Sequence, residues 1–346
     1  MKYIIITLFI LILSTAKIFA QSSCERSLNE ARADYSSGNL YAVPGKLNDC
    51  LEEGFNKVEK IEALRLLTLT YININQQEKA KTTLIKLLNL KTDYQVIENV
   101  DPSELYSLYR KIDTDIKYFL GITAGLNYNI IRPQLIRNTN PLGNHDPDYS
   151  KKLSNPQLGI QYLYPIYKNI MVGAELQYQN QKFSYSEIND YDNENITTIE
   201  YDSNNDGINL NLNLRYYRDY YQWKPFVEVG TSGRFNLNYD FINYNSEYEK
   251  SPDEETIEKS DDLYSYRTKL NIALNANLGT MIKLGENYGE IKFGVSNYFR
   301  NHLNEEGIKK ASTRTLFNGM ALKDDNYVNL IYQLNFTFNI PYFNFQ

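Results

Sequence analysis

Few residues in this chain have side chains that do chemistry. Its 346 residues include 2 His and 2 Cys. His145 and His302 could serve as general bases near neutral pH, but no serine stands near either in an arrangement that reads as a triad. Two histidines and two cysteines also leave little material for a zinc site. An enzyme is not expected, nor is a cofactor. Asp202-Ser203-Asn204-Asn205-Asp206-Gly207 matches the start of a calcium loop, D-x-N-x-D-G, with Asp202, Asn204 and Asp206 as the candidate ligands. The acidic twelfth position is missing, because Asn213 occupies it; a polar turn ending in Asp-Gly explains the run as well. A third set of charges is scattered along the chain: Glu175, Arg215, Glu228, Arg234, Arg267, Lys269 and Lys292. Their meaning depends on the elements that carry them.

Composition narrows those elements. Mean hydropathy is -0.51 at 42% hydrophobic residues, which excludes a bundle of transmembrane helices. Aromatics reach 14%, with 31 Tyr and 15 Phe against 1 Trp, and that excludes a disordered chain. The net charge of -6, from 36 Lys+Arg against 42 Asp+Glu, gives no basic footprint for nucleic acid.

Residues 1–20 read as a secretory signal peptide. Lys2 is followed by the apolar run Ile4–Leu13 and by Ala20 before a polar segment. The run is too short for a permanent span. Gln21-Ser22-Ser23 before Cys24 lacks the apolar residue of a lipobox. The Ala-Gln junction resembles that of exported proteins of Bacteroidota-type bacteria.

From residue 21 to about 115 the apolar period is helical. Leu64, Leu67, Thr68 and Tyr71 share one helix face, as do Ala80, Leu84, Leu87 and Leu88. Helices are expected near 25–37, 42–52, 57–73, 77–90 and 102–112. Ala31, Tyr35, Gly38, Leu40, Val43 and Leu47, followed by Leu64, Leu67, Tyr71, Ala80, Leu84 and Leu87, resemble two tetratricopeptide repeats. That resemblance implies a small all-α domain that binds a protein partner through residues 24–112; a plug or spacer without a ligand is the alternative. Cys24 opens the first helix and Cys50 ends the second, so an antiparallel hairpin brings them together. In an oxidising compartment they close as a disulfide contributing about 3 kcal/mol; two buried thiols are the alternative. A redox-active pair is not expected, since CxxC spacing is absent.

At Tyr118 the period changes to two. Gly207–Tyr216 alternates without a fault, and Val328–Ile340 does so except at Ile331. Eight strands are expected: 118–131, 155–167, 170–186, 206–218, 224–243, 263–283, 287–300 and 325–341. At roughly 12 to 20 residues they are far longer than the 5 or 6 usual in soluble sheets. Tight connections at Tyr167-Lys168-Asn169, Asp219–Trp223 and Leu284–Asn287 alternate with long ones at 132–154, 187–205, 244–262 and 301–324. Long alternating strands with short turns on one side describe a transmembrane antiparallel β-barrel. Both histidines and the acidic stretches 187–206 and 247–262 then fall in external loops. That acidity suits solvation, or divalent ions shared with surface lipid phosphates.

Residues 118–346 resemble the eight-stranded outer-membrane barrels of the OmpA/OmpX-like and PorT-like families. Leu330–Ile340, with the aromatic-rich Tyr342-Phe343-Asn344-Phe345 after it, resembles the signal read by barrel-assembly machinery. The resemblance implies a barrel in the lipid of a bacterial outer membrane, with the helical domain in the periplasm and long loops outside. A lumen of eight strands is just wide enough for side chains. The seven scattered charges fall on inward phases and are expected to pair and plug it, because buried unpaired charges are costly. The expected function is non-enzymatic: a barrel anchoring a periplasmic helical-repeat module as a scaffold or accessory subunit of an envelope complex. The alternative is a narrow channel, or a surface-binding barrel whose acidic loops take a ligand or ion.

Overall fold

The computed structural model describes residues 23–135, 148–151, 155–190, 196–220, 222–248, 267–307 and 326–346. The signal segment 1–20, His145 and much of the acidic stretch at 247–262 lie outside them. The chain divides into two compact units. A helical unit runs up to Ile116 and takes in Phe343–Gln346; the other comprises Lys117–Tyr342. Those last four residues, expected to belong to the barrel, group with the helices instead.

The helical unit contains α1 (23–36), α2 (Val43–Glu52), α3 (Lys57–Asn73), α4 (Gln77–Leu90) and α5 (Ser103–Tyr109). Local chemistry sets these boundaries. Pro44 sits in the first turn of α2, where its missing N–H costs nothing. Asn56 caps α3 in a reciprocal box: its side chain accepts from Val58 and Glu59 amides, and its own amide donates to Glu59 Oε2 at 3.0 Å. The turns α1–α2 and α3–α4 each contain a residue in the left-handed region, Gly38 at φ 84° and Asn75 at φ 59°. Leu28, Ala31, Val43, Leu47, Leu67, Leu84, Leu88, Leu105 and Leu108 form one buried core, with Tyr35 packed against it. Cys24 and Cys50 are bonded, with Cα atoms 5.6 Å apart. The last helix is shorter than 102–112, ending at Tyr109.

The second unit is a sheet of β1 (Ile116–Leu135), β2 (Asp148–Lys151), β3 (Asn155–Tyr167), β4 (Ile170–Asp190), β5 (Ile196–Tyr217), β6 (Trp223–Tyr248), β7 (Leu270–Leu284), β8 (Asn287–Tyr298) and β9 (Asn326–Phe343). Strand order is β2-β4-β3-β1-β9-β8-β7-β6-β5, and β4 also pairs with β5. That last pairing closes eight strands into a ring, leaving β2 as a short flap on β4. Closure leaves no open edge around the ring itself, so each of the eight long strands has a hydrogen-bonded neighbour on both sides there. The β7–β8 turn uses Gly285 at φ 66°, the positive angle that a two-residue hairpin of matching twist demands.

Alternation places the core on the inside and turns it polar. Gln157, Gln161, Gln177, Asn209, Asn335 and Asn339 are buried in the lumen. Leu158, Ile160, Leu176, Leu210, Leu212, Leu278, Phe336 and Phe338 are exposed on the outer surface. Ile331, the fault in the alternation of β9, points inward and packs against Ala273 and Tyr298. Around the short-turn end, Tyr162, Tyr164, Tyr216, Trp223 and Tyr342 are exposed, and Tyr118 stacks on Tyr342 at 4.6 Å.

Two connections expected to be long are largely strand. β4 and β5 pair without a break from Ile170↔Tyr216 to Asp190↔Ile196, absorbing most of 187–205. β6 likewise continues to Tyr248. Backbone pairing continues through polar side chains, because ladder hydrogen bonds do not depend on an apolar face. In the opposite direction, the strand expected from 263 begins at Leu270.

Candidate functional site

The lumen is the site with the densest chemistry, and inward phases of seven strands build it. Arg215 on β5 is fully buried. Its Nε donates to Glu228 Oε2 of the neighbouring β6 at 2.8 Å. Its Nη1 and Nη2 donate to the two oxygens of Glu290 on β8, each at 2.9 Å. This two-pronged contact is the geometry that a planar guanidinium offers a carboxylate. Phe226 lies under the guanidinium, 3.7 Å from ring centre to Cζ. Lys292, two residues beyond Glu290 on the same face of β8, donates to Glu175 Oε2 on β4 at 3.0 Å and to Gln161 Oε1 at 3.3 Å. It also lies 3.9 Å from Glu228.

Neutral amides complete the network. Gln161 Nε2 donates to Glu290 and to Asn339, and Asn339 Nδ2 returns a bond to Glu290 at 3.1 Å. Asn277 donates to Glu228 Oε1 at 2.8 Å. Charges buried so completely survive only when paired and hydrogen-bonded, and here both conditions hold for Arg215, Lys292, Glu228 and Glu290. Glu175 is the surplus acid: its Oε2 meets Lys292, and its Oε1 meets no partner among the described residues.

Toward the opposite end from the short turns, the lumen becomes amide-rich. Arg234 donates to Gln179 Oε1 at 2.9 Å, to Asn236 Oδ1 at 2.8 Å and to the Asn205 carbonyl at 3.0 Å. Its guanidinium is thus caged by neutral oxygens. Arg267 is buried with its guanidinium 4.0 Å from the centre of the Tyr239 ring. Phe183, Tyr185, Tyr239 and Tyr327 are buried at the same end.

The structure places the sequence-derived candidates unevenly. Glu175, Arg215, Glu228, Arg234, Arg267 and Lys292 are buried in the lumen, whereas Lys269 is exposed. Lys269 precedes the first residue of β7, so the inward phase never applies to it. Sequence reasoning missed Glu290. The signal was present, because a residue two before Lys292 in one strand must face the same way.

His302 was expected in an external loop as surface decoration; it is buried, stacked on Tyr327 at 4.3 Å and beside Tyr239 at 4.7 Å. Its amide donates to the Tyr327 carbonyl, and the Thr268 amide donates to its own carbonyl. These two ladder-like bonds pull the segment inward. Burial, with Arg267 and Arg234 nearby, pushes the imidazole well below its usual value. No side chain among the described residues hydrogen-bonds its Nε2.

The calcium candidates fare differently from a loop. Asp202, Asn204 and Asp206 lie within β5, where the strand rise of about 3.3 Å per residue spreads alternate side chains along a line. A calcium ion needs its oxygens at about 2.4 Å, so a wrapped turn is required. Instead each has a cross-strand partner: Ser184 donates to Asp202, Asn180 to Asn204 and Asp206, and the Tyr178 hydroxyl to Asp206 at 2.8 Å. Among the described residues no cluster of His, Cys, Asp and Glu could hold a metal ion.

A closed eight-stranded antiparallel ring with an apolar skin and a filled polar lumen defines a transmembrane β-barrel. No helix among the described residues is long and apolar enough to cross a membrane. No protein-family description and no curated relative matches the sequence. Solved structures of small outer-membrane barrels do match. One is the N-terminal barrel domain of Pseudomonas aeruginosa OprF, 10% identical, covering 65% of this chain and 98% of that one, TM-score 0.28. Another is the outer membrane protein OprG of the same organism, 14% identical over 65% and 99%, TM-score 0.32. Neisserial surface protein A is 9% identical over 65% and 97%, TM-score 0.31. At such scores the class rests on the chain's own strand pairing.

Proposed function

We propose that this protein is a non-enzymatic bacterial outer-membrane barrel that anchors a periplasmic, tetratricopeptide-like helical module, acting as a scaffold or accessory subunit of an envelope complex. The observation that carries this reading is the filled lumen. Arg215, Glu228, Glu290, Lys292 and Glu175 bond across the ring, which supports a barrel that serves as an anchor rather than as a conduit. A barrel that conducts nothing still fixes the position of what it carries. The helical module has its own core and its own staple, as a binding platform requires.

The test compares the full chain with a variant lacking residues 24–112, each purified by affinity in mild detergent. The scaffold reading expects specific co-purifying envelope proteins with the full chain and none with the variant. Partners retained by the barrel alone would transfer the activity to its loops. Stepwise single-channel currents from the purified barrel in a planar bilayer would replace the scaffold with a channel.

A further inference from the structure

The residues following the outward-facing part of β9 behave unlike a strand end. Phe345 is 8% exposed and belongs to the same buried cluster as Leu105, Leu108 and Ile112 of the helical unit. Phe343 packs against that cluster, and the two rings stack at 5.3 Å. Between them, Asn344 is exposed. The Asp113 amide donates to the Gln346 carbonyl at 3.4 Å, a main-chain contact beside the side-chain one. Phe343 is the last residue of β9, and the two rings, at i and i+2, lie side by side as alternate side chains of a strand do. This is the geometry of peptide recognition: pockets for alternate side chains, plus a backbone hydrogen bond.

We propose that the helical unit carries a binding site for an extended aromatic-x-aromatic segment, with Phe343-Asn344-Phe345 of the same chain as its occupant. Phe345, from the far end of the sequence, is a member of the buried core that the five helices form, with Phe343 packed against it. The inference rests on the platform reading and deepens it: the platform's ligand class is an extended segment with aromatic rings at i and i+2. Partners of this chemistry bind only when the resident segment is displaced.

Two measurements on the full chain, folded in detergent, test this. In the first, the photoreactive p-benzoylphenylalanine replaces Phe345 and is irradiated. Crosslinks mapping to residues 28–112 are expected; crosslinks confined to 117–342 overturn the proposal. In the second, a fluorescent peptide Tyr-Phe-Asn-Phe-Gln is titrated against the native chain and against Phe343→Ser/Phe345→Ser. The substituted chain should bind at least ten-fold more tightly than the native one, and a peptide with both Phe changed to Ser should not bind. Equal binding to both chains, or none by a substituted chain with native helix content, overturns it. If the substituted chain loses its helices, Phe345→Leu takes its place, with binding expected between the two. A chain that passes both tests yet captures no envelope protein leaves the site in place and refutes only the scaffold reading.

Discussion

Arg215 is the residue on which the lumen turns. It holds two carboxylates from different strands, and removing it leaves Glu228 and Glu290 buried and facing each other. Arg215→Leu should therefore destabilise the barrel by about 3–5 kcal/mol, seen as a lower urea midpoint in lipid vesicles. Arg215→Lys should recover only part, since a single ammonium cannot reproduce the fork. A midpoint unchanged in Arg215→Leu would mean that water or an ion replaces the pair. In the helical unit, Asp101 accepts from Arg65 at 2.9 Å and from the Ile97 amide at 2.9 Å. Burial pushes its carboxyl up, but the Ile97 amide and Arg65 outweigh it and hold it below the usual value. Its stabilising effect is thus fully present above the unfolded carboxylate value near 3.9 and is lost as pH falls through the lower folded value. Asp101→Ala should cost about 1–2 kcal/mol at neutral pH, and much less at pH 2, by thermal melts of the helical signal. At this scale the sequence marked six lumen charges through strand phase. It overlooked Glu290, although Glu290 shares the face of Lys292 on β8, and overcounted Lys269, which precedes β7.

Among elements, α3 and the α1–α2 hairpin show how local chemistry commits the chain. The Asn56 box satisfies amides that open α3, and Asn56→Ala should lower the stability of the helical unit by about 1 kcal/mol, read by chemical denaturation. Reduction of Cys24–Cys50 should lower it by about 3 kcal/mol and leave the barrel transition unmoved; a shift in both transitions would show that the two units unfold together. Helix positions were legible to within a few residues, since caps and apolar period agree. Strand positions in the lower barrel were equally legible. The upper parts of β4, β5 and β6 were less so: Asp202 and Asn204 fall in the connection expected over 187–205. They form a ladder because each meets a partner across it. At Gly230, an added Cβ would collide with the Leu212 carbonyl and Asn213, so Gly230→Ala should hinder β5–β6 closure. Lower folded yield in vesicles is the expected readout.

At the largest scale, closure of eight strands makes unfolding of the barrel all-or-none. The protein should migrate faster on a denaturing gel when unboiled than when boiled, and should require detergent for solubility. Absence of a mobility shift combined with solubility in buffer alone would contradict the transmembrane barrel. The sequence by itself determined the two-part organisation and the inside-out polarity, because periods of 3.6 and 2 are local properties of the chain. It could not determine closure between β4 and β5, the pairing of Arg215 with both Glu228 and Glu290, or the burial of His302. Nor could it place Phe345 in the helical core, against the expectation that it ends the barrel. Each of these joins residues distant in sequence, and only the tertiary structure decides which distant groups share a low-dielectric interior.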